Sequence, residues 1–127
     1  MVLGAGCRVQ GTRCRVLEAV VAAMQAHRQV AGVQEQACRA LSNVCDGDDA
    51  AGLARSQRAA DAGAIEAVVD AMQAHAQVAG VQVVGCGALA NVCCGTDAAA
   101  LARTQRAADA VGPRAQSYEL ILKVLWP

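Results

Sequence analysis

Residues 17–62 and 65–110 are two copies of one sequence. With a shift of 48 residues, 34 of the 46 aligned positions are identical. Glu18-Ala19-Val20-Val21 returns as Glu66-Ala67-Val68-Val69, and Met24-Gln25-Ala26-His27 returns as Met72-Gln73-Ala74-His75. Asn43-Val44-Cys45 returns as Asn91-Val92-Cys93, and Leu53-Ala54-Arg55 as Leu101-Ala102-Arg103. A repeat of this length constrains the fold more than any single motif does. Each unit buries its apolar face on a neighbouring unit, so the chain is expected to be a stack rather than a closed globule.

Within each copy the apolar spacing is helical. Leu17, Val20, Val21 and Met24 follow the i, i+3, i+4, i+7 pattern, as do Ile65, Val68, Val69 and Met72. Gly63 stands before the second of these helices and Gly80 after its His75 end, as start and stop signals. A second helix is expected from about 33 to 45 and 81 to 93, with Val33, Ala37, Leu41, Val44 and their counterparts on its core side. A third is expected from about 50 to 60 and 98 to 108, opening at Asp48-Asp49 or Thr96-Asp97, where an acidic N-cap is stabilising. Alanine abounds and Phe is absent, which favours helix and predicts a core of small side chains. The expected class is therefore all-α. Residues 1–16 lie outside the pattern, as a ragged or capping segment. Residues 111–127 form an apolar tail, with Gly112-Pro113 as a break and Ser117–Trp126 as a capping helix over the last repeat.

These residues resemble the armadillo repeat. Val33-Gln34-Glu35-Gln36-Ala37-Cys38-Arg39-Ala40-Leu41-Ser42-Asn43-Val44 is similar to its third helix, Ala62-Gly63-Ala64-Ile65 with Val68-Val69 to the start of its second, and Gln57-Arg58-Ala59-Ala60-Asp61 to its first. The resemblance covers about residues 17 to 110. It implies a right-handed α-solenoid whose third helices line a concave groove for an extended segment of a partner protein. It also implies that Asn43 and Asn91 bond the partner's backbone, since an Asn amide both donates and accepts. Where many members carry a groove Trp, this sequence has Arg39 and Gly87, which argues against recognition of nuclear-import signals.

Steps of four, three and four place positions 35, 39, 42 and 46 on one stripe of that helix. The first copy reads Glu35, Arg39, Ser42, Asp46, and the second Val83, Gly87, Ala90, Cys94. Divergence thus falls on the face expected to line the groove. It predicts one charged subsite and one small, apolar subsite, although drift on any solvent-exposed face leaves the same trace. Arg55, Arg58, Arg103 and Arg106 suggest a basic ridge and an alternative reading as a phosphate or nucleic-acid surface.

Composition weighs against that alternative. Net charge is zero, whereas nucleic-acid affinity rests on a basic excess. No apolar run approaches the ~18 residues of a membrane span, and residues 1–10 do not read as a secretion signal. Cys7/Cys14, Cys38/Cys45 and Cys86/Cys93 are each seven apart. On a helix that is roughly 10.5 Å, too far for a disulfide, whose Cα atoms lie within about 7 Å. The spacing predicts shared buried faces in a reducing, intracellular compartment (cytoplasmic, with the nucleus open) and no metal site. Cys94, on the groove stripe, is the expected accessible thiol. His27 and His75 are expected to bond free carbonyls at helix ends rather than act as bases. No catalytic motif or cofactor loop is present, so the expected role is binding other proteins without a cofactor, with self-association through exposed ends of the stack.

Overall fold

Alanine-rich segments without internal proline, four of them (the second to the fifth) opened by an extended residue or a left-handed glycine, become six helices in the computed structural model. It describes residues 3–111, with side chains from Arg15 onward. The helices are α1 (Leu3–Ala26), α2 (Ala31–Val44), α3 (Ala50–Asp61), α4 (Ala64–Ala74), α5 (Ala79–Val92) and α6 (Ala98–Val111). Among the described residues there is no strand. The all-α expectation and the three helices of each period are observed. Helix α1 runs through position 16 into the first copy. The tail from 112 to 127 and the side chains of Cys7 and Cys14 lie outside the described residues.

The sequence repeat is also a repeat of local bonds. Asp49 caps α3, its Oδ1 accepting from the Gly52 amide at 2.9 Å, and Asp97 Oδ1 accepts from the Ala100 amide at 3.0 Å. Gly63 takes a left-handed conformation, φ 92°, at the α3–α4 turn, where a side chain would be strained. Gly80 differs from its expected role as a helix stop. It sits in the first turn of α5, where a Cβ would come within 2.9 Å of the Glu35 carboxylate. Its missing side chain lets α2 approach α5, and these two helices make the most extensive contact of any pair.

The core is small in volume. Leu17, Val21 and Met24 of α1 share one core cluster with Cys38 and Leu41 of α2 and with Cys45 just past its end, and Ala59, Ala60, Ile65, Val68 and Val81 continue the layer through α3, α4 and α5. Of the expected α2 core residues, Ala37 and Leu41 are buried, whereas Val33 and Val44 are half-buried. Gln34, 2% exposed, takes an interior place that periodicity assigned to a neighbour. Its amide nitrogen donates to Met24 O at 3.1 Å and His27 O at 2.8 Å, closing the carbonyl end of α1. Gln82 does the same for α4, reaching Met72 O at 2.9 Å and His75 O at 3.0 Å. No described helix is long and apolar enough to cross a membrane.

Candidate functional site

The divergent stripe lies on the open side of the α2–α5 pair. None of its eight residues is buried: Arg39, Asp46, Val83 and Ala90 are exposed, and Glu35, Ser42, Gly87 and Cys94 are half-buried. The alternation has a simple cause. A residue on the seam is shielded where a helix stands beside it and open where none does. Arg39 lies 3.6 Å from Glu35 as an i, i+4 pair, an arrangement worth about 0.3–0.5 kcal/mol at the surface. Its charges therefore remain available to a ligand at little cost.

The two Asn residues differ from the expectation that both bond a partner. Asn91 Nδ2 donates to Ser42 O at 2.7 Å and to Ser42 Oγ at 3.0 Å, tying α5 to α2. Both donors of that amide are thus engaged, leaving Asn91 an acceptor through its carbonyl oxygen. Asn43, the same residue one period earlier, is exposed and its side chain makes no hydrogen bond among the described residues. Only Asn43 keeps a complete amide for a bound backbone.

The four arginines do not assemble into a ridge. Arg55 Nε donates to Val44 O at 2.7 Å and its Nη2 to Asp46 O at 3.1 Å, so it clamps the carbonyl end of α2. Arg103 repeats the clamp on α5, through Nε to Val92 O at 2.7 Å and Nη2 to Cys94 O at 2.8 Å. Its Nη1 also reaches Gln57 Oε1 in the preceding unit at 2.7 Å, and the residue is only 4% exposed. Arg106 pairs with Glu66 at 2.6 Å. Arg58 alone of the four is exposed. The sequence offered no sign that these cations end on backbone carbonyls of another helix, because the acceptors carry no side-chain signature.

Thiols and imidazoles follow the same logic. Cys38 and Cys45 are fully buried, and burial pushes both thiols up from 9.0 to about 11. Burial also raises Cys93, opposed by Arg103 and a hydrogen bond to Thr104. Cys86, expected on the buried face, is exposed, whereas Cys94 is half-buried. Among the described cysteines the exposed thiol is therefore Cys86. A ring nitrogen of His75 lies 2.7 Å from Arg28 O, so the expected His–carbonyl bond forms, across units rather than within its own helix. An open cleft of about 250 Å³ runs between α1 and α4, bordered by Met24, Arg28, Gln34, Asp70 and Gln73. The Arg28–Asp70 pair, 3.1 Å, spans its rim. Among the described residues no three His, Cys, Asp or Glu side chains converge as metal ligands would. Compared with known proteins, the chain matches no family model, no curated protein and no solved structure.

Proposed function

We propose that the chain is a protein-interaction module of the armadillo kind, a right-handed solenoid that holds an extended partner segment along the open face of α2 and α5. It acts without catalysis, inside the cell, where free thiols such as Cys38 and Cys45 persist. One observation carries the reading. Between the two copies the framework bonds recur, while positions 35, 39, 42 and 46 change chemistry together on the side that remains open. A surface that stays largely open, flanked by a framework that is retained, is where specificity resides.

The chemistry suggests the ligand. Asn43 offers a donor and an acceptor to a backbone in extended form. Around it Glu35, Arg39 and Asp46 favour a segment bearing charged side chains. One period on, Val83, Gly87, Ala90 and Cys94 leave a shallow apolar strip for a hydrophobic side chain. The alternative reading as a phosphate or nucleic-acid surface loses its cation cluster, since Arg55 and Arg103 are engaged on helix ends.

Selection from a displayed peptide library on the full chain tests the proposal. Enriched sequences should pair a charged stretch with an apolar one. Asn43→Ala should weaken the best of them about tenfold, a loss of about 1.4 kcal/mol, with Arg58→Ala as the unaffected control. No enrichment, or binding indifferent to Asn43 and Arg39, would sink it.

A further inference from the structure

Each unit has two faces, and the two copies show them in complementary states. Among the described residues, the face toward the following unit is covered in the first copy and open in the second. Cys38, Ser56, Ala59 and Ala60 are each 0% exposed, whereas Cys86, Thr104 and Ala108 are exposed and Ala107 is half-buried. Val83 and Leu101, on the same side, are 71% and 64% exposed. The face toward the preceding unit shows the reverse. Val68, Ala88 and Val92 are buried, but Val20, Ala40 and Val44 are not. The chain thus presents at one end a surface whose fitted counterpart stands at its other end.

From this geometry we infer that a second copy of the chain covers the Cys86 face, with its own Asn43 face, in a head-to-tail stack. The intrachain joint is the template. Six bonds cross it: Asn91 Nδ2 to Ser42 O and Oγ, Ser56 Oγ to Asn91 O, Arg103 Nη1 to Gln57 Oε1, Arg28 Nη2 to Asp70 Oδ2, and His75 with Arg28 O. One period away, the groups that make four of these bonds recur on open ends, with Thr104 in place of Ser56 and the Ala90 and Ala76 carbonyls in place of those of Ser42 and Arg28. Asn43, Arg55 and His27 stand ready on one face; stacking engages the Asn43 amide, so only the copy whose Asn43 face is left free keeps it for a bound segment. The Ala90 and Ala76 carbonyls, Gln105 and Thr104 stand on the other. The close approach of Gly80 to Glu35 has its counterpart as well. Val83 occupies the position of Glu35, and Gly32, whose Cβ would have nothing within 4 Å in the isolated chain, occupies that of Gly80. Between chains, Val83 is covered by Gly32 where it is now exposed.

The interchain joint is weaker than its template. Ala90 lacks the Ser42 hydroxyl that accepts from Asn91, and the counterparts of Arg28 and Asp70 are Ala76 and Ala22. Association is therefore reversible and depends on concentration. Because the two surfaces differ, the joint leaves a free face at each end and growth continues past a dimer unless it closes as a ring.

Sedimentation velocity of the full chain tests this, using Cys86→Glu to block one face and Gly32→Glu to block the other. Both positions are open in the isolated chain, and circular dichroism should show both variants as helical as the natural protein. The natural chain is expected to gain mass beyond a dimer as concentration rises, with the Cys86 thiol becoming protected from alkylation. Each variant alone should remain at 12.9 kDa. An equimolar mixture should form dimers and stop there, because each chain retains one working face. The inference is overturned if the natural chain stays monomeric, if either variant associates like it, or if the mixture forms no dimer. A monomer whose Cys86 resists alkylation would make a segment of the same chain the occupant, and that too overturns it.

Discussion

Arg55 and Arg103 are the same residue in two copies of the same sequence, and each clamps the end of its own groove helix. Yet Arg55 is half-buried with two acceptors, both in its own unit, and Arg103 is 4% exposed with a third acceptor in the preceding unit. Gln34 and Gln82 differ in the opposite sense, buried in the first copy and half-buried in the second. The pairs differ because burial in a stack belongs to the joint between units. A residue on the following-unit face is interior in copy one, and a residue on the preceding-unit face is interior in copy two.

Alkali should separate the copies most strongly. The folded chain holds Cys38 and Cys45 as neutral thiols to about 11, whereas the unfolded chain ionises them near 9.0. Stability is thus intact below pH 9 and falls as pH rises from about 9 to about 11, by on the order of 2 kcal/mol for each thiol. Denaturant unfolding across that range checks it, and Cys38→Ala should remove that thiol's share of the dependence.

Truncating the clamps comes next. Arg103→Ala strands one buried and one half-buried carbonyl and should cost about 3 kcal/mol, against about 1 kcal/mol for Arg55→Ala, whose acceptors water can reach. Urea midpoints compare the two, and equal losses would mean that the joint adds nothing to the clamp. Gln34→Met should cost about 2 kcal/mol and Gln82→Met about 1, reversing the order of the copies. The smallest effect is the control. Asp49→Ala and Asp97→Ala remove caps that both face solvent, so each should cost about 1 kcal/mol, with no difference between copies.

Helices and period were legible because both are local signals. The i, i+3, i+4 spacing of Leu17, Val20, Val21 and Met24 records which side of α1 meets the protein, and Asp49 and Asp97 mark helix starts through their own side chains. The open stripe was legible too, since the copies diverge there. What the sequence withheld are properties of the neighbouring unit. Cys86 carries the same letter and spacing as Cys38 but has no described helix over it. Asn91 spends on Ser42 the amide that Asn43 keeps. The interior place of Gln34 rests on carbonyl acceptors, which every residue possesses and no letter reveals.

Those acceptors have a consequence for how such a surface can change over generations. The clamps end on the backbone oxygens of residues 44, 46, 92 and 94, and the crossing bonds end largely on those of 28, 42 and 91. A peptide oxygen is the same whatever its side chain. Aspartate at 46 and cysteine at 94, its counterpart, each supply the oxygen that an arginine takes. The attachment points are thus blind to mutation at the positions a ligand would read. Recognition in one copy can drift without unlearning how to stack.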